Sequence, residues 1–143
     1  MKNEMKLVMD AISENEALAR VATATFLTNL HPTLEEMEDV KTAVSEAVTN
    51  AIIHGIPEDR KVYITCESEE NILVVTVEDH GVGIENVEKA MEPLFTTKPQ
   101  QDRSGMGFAF MEAFMDDLKV TSAPGRGTIV RMEKAIGFSR YGE

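Results

Sequence analysis

Apolar side chains recur along the first third of the chain with spacings that separate a short strand from two helices. Residues 5–12 read as a strand, and residues 13–30 carry apolar side chains near helical spacing. A second helix is predicted over 33–55, where an apolar stripe continues until a glycine and a nearby proline end it. The segments 13–16 and 33–36 each place a hydroxyl residue three positions before a glutamate, which is the spacing of a capping box at a helix start.

From Lys61 onward the apolar period changes to two, which indicates strands. Val62, Ile64 and Cys66 share one face, so Cys66 is expected in the core rather than as a reactive thiol. Residues 72–79 are apolar on both faces, which is typical of a central strand. An aperiodic polar segment is predicted at 92–107 and a helix at 106–115. Two strands are predicted at 118–122 and 127–133.

Composition narrows the possible functions. The 143 residues are expected to form a single domain over 1–143, and no apolar run approaches the ~20 residues that span a bilayer. One cysteine excludes an internal disulfide and a cysteine-based zinc site, and it fits a cytoplasmic protein without a signal peptide. The net charge of −11 opposes direct nucleic-acid binding and favours a basic protein partner, although acidity also simply promotes solubility.

Two motifs place polar side chains where they could bind a ligand. Glu46 and Asn50 lie four residues apart on the second helix, so their side chains share a stripe. This stripe fits a solvated helix face, and it also fits an asparagine oxygen on Mg²⁺, which prefers hard oxygen ligands. Asp79, Gly81 and Gly83 follow the central strand. They fit a tight turn, and they also fit a carboxylate that accepts a hydrogen bond from an exocyclic amine while the glycines admit a flat ring.

A third motif has two glycines, Gly105 and Gly107, at the predicted start of the third helix. Glycines there expose backbone N–H groups and the positive end of the helix dipole to an anion, although an ordinary helix cap has the same pattern. The aperiodic segment before them carries Lys98, which suits a phosphate. The chain has neither a P-loop nor the catalytic loop of the eukaryotic-type protein kinases.

The order of these motifs, completed by Gly127 and Thr128 on a late strand, resembles the GHKL (Bergerat-fold) ATPase and kinase superfamily from about Thr33 to Glu133. The resemblance implies an α/β two-layer sandwich: a mixed, mainly antiparallel sheet with helices on one face and a flexible ATP lid at about 92–107. It also implies ATP or ADP with Mg²⁺ as ligands. In this resemblance Asp79 binds the adenine amine, Asn50 holds Mg²⁺ and Glu46 is the general base. The further nucleotide contacts that it implies are Gly81, Gly83, Thr97, Lys98, Arg103, Ser104, Gly105, Gly107 and Thr128.

Within that superfamily the chain resembles the sporulation anti-sigma factors of spore-forming bacilli. The resemblance implies a homodimer that inhibits a sporulation sigma factor and acts as a protein serine kinase on a STAS-type anti-anti-sigma factor. Arg20 is then a candidate partner contact, although Glu16 four residues earlier could simply pair with it. Three alternatives stay open: a nucleotide-gated anti-sigma factor or adaptor without phosphotransfer, a simple ATPase, and a detached histidine-kinase catalytic domain.

Overall fold

Five strands and four α-helices occur in the part of the chain that the computed structural model describes, which is residues 2–55, 57–92 and 107–137. In chain order they are β1 (Asn3–Asp10), α1 (Asn15–Leu27), α2 (Leu34–Asn50), β2 (Lys61–Glu69), β3 (Ile72–Asp79), α3 (Val87–Ala90), α4 (Gly107–Phe114), β4 (Asp117–Ser122) and β5 (Thr128–Ala135). A 3₁₀ turn (Thr28–Leu30) follows α1, and a π-helical turn (Ala51–Gly55) follows α2. The first strand lies two residues earlier than predicted, and the short α3 was not predicted.

The strands form one sheet in the order β1-β2-β3-β5-β4. All four pairings are antiparallel, where the sequence resemblance implies a mixed sheet. The predicted central position of β3 is confirmed, since it lies between β2 and β5. Its two faces differ, however, because Leu73, Val75 and Val77 are buried while the alternate residues are only half-buried.

The helices pack against the buried face of the sheet and form a two-layer α/β sandwich. Val62, Ile64 and Cys66 line this face, as their alternation predicts. Val44 and Val48 of α2 are fully buried in the same cluster. Burying side chains of this kind contributes roughly 1.5–3 kcal/mol each, which makes the cluster the main source of stability. Cys66 is fully buried, which confirms it as a core residue, and this burial raises the pKa of its thiol.

The two predicted capping boxes have different outcomes. At α2, the Thr33 hydroxyl accepts the Glu36 N–H (3.1 Å), and the Glu36 carboxylate accepts the Thr33 N–H (2.8 Å), as predicted. At α1 the prediction was wrong, because the N-cap is Glu14 and no side chain caps the helix. The Glu16 carboxylate instead accepts a hydrogen bond from Arg20 at 2.9 Å.

Glu36 also connects the end of the described chain to the helical layer. Its two carboxylate oxygens lie 3.1 and 3.0 Å from the Gly137 N–H, in addition to the bond from Thr33. The side chain is buried, so these donors replace the water that it loses on folding. Across residues 2–55, 57–92 and 107–137, no helix is long and apolar enough to cross a membrane.

Candidate functional site

The end of β3 places a buried carboxylate opposite a buried hydroxyl. Asp79 pairs with Thr128 in the β3–β5 register, and both residues are buried. The Asp79 Oδ1 atom accepts the Gly81 N–H at 2.9 Å. The Ser122 hydroxyl lies 2.9 Å from the Thr128 Oγ1 atom and so fixes its orientation. The predicted residues Asp79, Gly81 and Thr128 therefore lie together, and Ser122 joins them.

The environment of Asp79 perturbs its acidity. Burial raises the pKa of this carboxyl from 3.8 to about 6, although the bond from the Gly81 N–H favours the ionised form. Asp79 is therefore mostly ionised at neutral pH, and it carries a desolvation cost that a hydrogen-bond donor from a ligand would offset. A perturbed carboxylate in such a position is characteristic of a functional site.

Closely packed glycines surround Asp79. A Cβ atom on Gly55 would lie 2.8 Å from the Asp79 Cγ atom, and one on Gly81 would lie 1.8 Å from the Gly55 carbonyl oxygen. A Cβ atom on Gly127 would lie 2.1 Å from the Asp79 carbonyl oxygen. Gly83 has a φ of 77° in the same loop, which a glycine adopts without strain. The sequence predicts Gly55 only as a helix terminator and gives Gly127 no contact with Asp79, because both contacts join segments far apart in the chain. Ser122 is not predicted either, and its bond is to Thr128.

The second group of predicted residues lies where α2 meets α4. A Cβ atom on Gly107 would lie 3.0 Å from the Asn50 Nδ2 atom and 3.4 Å from the Glu46 Oε2 atom. The first residue of α4 therefore packs directly against both side chains. The N–H groups at a helix start have no partners within the helix, so this position joins a carboxylate, an amide and anion-attracting N–H groups.

One stretch of backbone connects the two groups. The π-helical turn runs from Ala51, directly after Asn50, to Gly55. The Gly55 carbonyl oxygen accepts the Val82 N–H at 2.8 Å, so the end of this turn is bonded to the loop that follows Asp79. The Glu46–Asn50 motif and the Asp79–Gly83 motif are thus joined through this turn and form one candidate site.

Five predicted site residues cannot be placed. Thr97, Lys98, Arg103, Ser104 and Gly105 fall outside the described residues, as does most of the segment predicted as a lid.

Arg20 is half-exposed, pairs with Glu16 and lines a cleft of about 240 Å³ between α1 and α2. The other residues that line the cleft are Glu38, Lys41, Thr42, Ser45 and Glu46. Within the described part of the chain, no group of three or more His, Cys, Asp or Glu side chains could hold a metal ion.

Comparisons with known proteins agree with this architecture. The family model described as "Histidine kinase-like ATPase domain" matches residues 10–134. The anti-sigma F factor of Clostridium acetobutylicum is 55% identical over 139 residues, which cover 96% of this chain and 97% of that protein. The anti-sigma F factor of Bacillus subtilis is 51% identical over 142 residues, which cover 98% of this chain and 97% of that protein.

A solved structure shows the same fold. It contains the RsbU and RsbW domains of a Mycobacterium tuberculosis protein, and it matches 94% of this chain with a TM-score of 0.67. Its sequence is 16% identical, and the match spans about a third (32%) of that longer chain. The family model and the identity over nearly the whole length together show that the chain belongs to the histidine kinase-like ATPase domain family and, within it, to the anti-sigma F factors.

Proposed function

We propose that this chain is an anti-sigma factor and an ATP-dependent protein serine kinase. It binds and inhibits a sporulation sigma factor, and it phosphorylates a serine on a STAS-type anti-anti-sigma factor. The observation that carries the kinase assignment is the position of Glu46 beside Asn50 against the first residue of α4. A protein that only binds nucleotide has no need of a carboxylate at that point. The names of the full-length relatives support the anti-sigma assignment.

The nucleotide would lie between the two groups of residues. Asp79, ionised at neutral pH, would accept a hydrogen bond from the adenine amine, and Thr128 would support that end of the pocket. Gly107 would approach the phosphates, together with Thr97, Lys98, Arg103, Ser104 and Gly105. The close packing of Gly107 against Asn50 and Glu46 supports this placement, because it brings the start of α4 next to the proposed metal ligand and base.

Asn50 would hold Mg²⁺ through its amide oxygen, which suits an ion that takes one or two protein ligands and completes its shell with phosphate oxygens and waters. When bound, the ion would neutralise phosphate charge during transfer. Glu46 would accept the proton of the acceptor hydroxyl, since its carboxylate lies beside Asn50 and also lines the cleft between α1 and α2. An acceptor segment that enters this cleft would pass Arg20, which makes Arg20 a candidate partner contact.

The remaining features of the proposal concern partners and location. A net charge of −11 attracts partners with basic surfaces and opposes direct binding to nucleic acid. The chain would act in the cytoplasm as a homodimer, as the resemblance to sporulation anti-sigma factors implies.

The test combines purified protein, γ-labelled Mg-ATP and the anti-anti-sigma factor. Glu46→Gln should bind nucleotide normally and slow the transfer by roughly 10²- to 10⁴-fold, because it removes only the base. Asn50→Ala should weaken Mg-ATP binding itself. Glu35→Gln, which removes an exposed carboxylate from the same helix, is the matched control and should transfer normally.

Acid-stable phosphoserine on the partner, lost in Glu46→Gln and retained in Glu35→Gln, is the expected result. Acid-labile phosphate would indicate a histidine-kinase activity instead. Release of phosphate without any partner would indicate a simple ATPase. Nucleotide binding without either product would leave a nucleotide-gated anti-sigma factor and refute the kinase assignment.

A further inference from the structure

His80 directly follows Asp79, and each of its ring nitrogens lies beside a carboxylate. The Nδ1 atom is 2.9 Å from the Asp59 Oδ2 atom, and the Nε2 atom is 3.1 Å from the Glu78 Oε2 atom. A neutral imidazole has one N–H donor and one acceptor nitrogen, so it can donate to only one carboxylate. The imidazolium donates at both nitrogens. The geometry at His80 therefore suits the charged ring.

Asp59 connects His80 to the rest of the sheet. Its Oδ2 atom accepts a hydrogen bond from the Tyr63 hydroxyl at 2.5 Å, and its Oδ1 atom accepts the Lys61 N–H at 3.1 Å. The Tyr63 and His80 rings lie 4.6 Å apart between centroids. The Glu58 N–H donates to the His80 carbonyl oxygen at 3.3 Å. Side chains and backbone together thus fix the end of β3 to the turn before β2.

The titratable groups that face His80 are Asp59 from this turn, Tyr63 from β2, and Glu78 and Asp79 from β3. Burial by itself would lower the pKa of His80, but the bonds to Glu78 and Asp59 raise it above its ordinary value. Burial raises the pKa of Asp79, and the charge on His80 acts against that effect. The same imidazolium therefore interacts with three carboxylates.

The backbone at His80 leads directly to the carboxylate of the site. His80 is the one residue between Asp79 and Gly81, which are joined by the hydrogen bond from the Gly81 N–H to Asp79. A Cβ atom on Gly127 would lie 2.1 Å from the Asp79 carbonyl oxygen and 3.0 Å from the His80 Cα atom, so this backbone also packs against the turn before β5. A shift of His80 would therefore move Asp79.

We propose that His80 is a positioning residue for the nucleotide: held as an imidazolium between Asp59 and Glu78, it fixes the backbone that carries Asp79. This inference rests on the proposed nucleotide binding and adds a pH dependence to it. Affinity for ADP should fall as the pH rises past the pKa of His80, because a neutral ring loses one carboxylate partner. Affinity should also fall in acid as Asp79 becomes protonated. The two limbs have different causes and respond to different substitutions.

The experiment measures the ADP dissociation constant by calorimetry between pH 5.5 and 9. In the wild-type protein we expect an alkaline loss of affinity of about 3- to 10-fold, the size expected for one or two half-exposed charge contacts. His80→Asn should be weakened already at pH 7 and lose the alkaline limb, and its acid limb should begin at a higher pH. His80→Arg, which keeps a permanent charge, should retain its affinity at alkaline pH.

His31→Asn is the matched control. His31 is exposed and has a φ of 53°, a left-handed conformation that asparagine tolerates, so this variant should keep the wild-type profile. A nuclear magnetic resonance titration of the His80 ring gives a second readout that does not depend on nucleotide. Its pKa should lie above the ordinary value of a histidine and should fall in Asp59→Asn.

The outcomes separate this inference from the function on which it rests. A wild-type profile in His80→Asn would overturn the inference alone. So would equal weakening of His80→Asn and His80→Arg at every pH, since that result indicates only a packing role. Absence of ADP binding by the wild-type protein at every pH would overturn the proposed nucleotide binding, and the inference with it.

Discussion

The buried carboxylate of Asp79 should destabilise the nucleotide-free protein, and Asp79→Asn measures this cost. Burial raises its pKa from 3.8 to about 6, and each pH unit of difference corresponds to about 1.4 kcal/mol. The ionised form therefore costs about 3 kcal/mol of stability above pH 7. Because the pKa is raised on folding, this cost is absent well below pH 3.8. It grows between pH 3.8 and pH 6 and levels off above pH 6.

Urea unfolding of the wild-type protein and of Asp79→Asn, without nucleotide and at one protein concentration, gives the difference in free energy of unfolding at each pH. The advantage of the variant should grow from less than about 1 kcal/mol near pH 4 to about 3 kcal/mol at pH 7. Asparagine keeps an oxygen for the Gly81 N–H, so this donor stays paired in the variant. ADP should reverse the order, because binding stabilises only the wild-type protein.

Asp117→Asn removes an exposed carboxylate at the start of β4 and controls for the loss of one negative charge. An advantage of Asp79→Asn that stays constant between pH 4 and pH 7 would refute the reasoning, because only titration of this carboxyl makes the difference depend on pH. A variant that is less stable than the wild-type protein at pH 7 would show that local hydrogen bonds outweigh the desolvation of Asp79.

Two further substitutions test close contacts, one at the start of α2 and one in the candidate site. Glu36→Ala removes the buried acceptor of the Gly137 N–H and of the α2 capping box, so it should lower the free energy of unfolding by about 2–4 kcal/mol. Glu35→Ala, exposed in the same turn, should change it by less than about 0.5 kcal/mol in the same urea assay, and equal effects would contradict the explanation. Gly55→Ala places a methyl group 2.8 Å from the Asp79 carboxylate. It should weaken ADP binding by about tenfold or more, measured by calorimetry. Unchanged affinity would show that this close contact is not needed.

Local chemistry explains which elements could be predicted. The capping box at Thr33 needs only side chains three positions apart, and the alternation in β2 needs only a pleated strand with one buried face. The box predicted at Ser13 has the same spacing and does not form. The chain leaves β1 with the Ala11 N–H bonded to the Arg60 carbonyl oxygen, and the Asn15 side chain bonds back to the Asp10 carbonyl oxygen. One tertiary bond and one local side-chain bond thus hold the chain that leads into α1, in place of the predicted capping box.

The candidate site likewise contains residues that local spacing predicts and residues that it does not. The Asp79 motif could be predicted from the sequence because its carboxylate and two glycines lie within five residues, 79–83. Its partner Thr128 follows from the resemblance, and only the β3–β5 register shows why the two meet. Asp59 and His80 lie 21 residues apart in the chain, so no local pattern indicates their contact. The Ser122–Thr128 and Glu78–His80 contacts are close in sequence, but the spacing of these residues does not single them out. All of the predicted nucleotide contacts stay predictions, and those within 93–106 also lie outside the described residues.

Gly55 shows why the two predicted motifs form one site. Read along the sequence it ends a helix, yet its carbonyl oxygen accepts the Val82 N–H and its Cα lies against the Asp79 carboxylate. In a regular α-helix the backbone hydrogen bonds join residues four apart up to the last turn. The π-helical turn over 51–55 has bonds five apart instead, and it begins directly after Asn50. The segment that holds the proposed metal ligand therefore also packs against the proposed adenine ligand. Both ligands are fixed through one short stretch of backbone. A substitution that displaces Asp79 should therefore also displace Asn50, and the reverse.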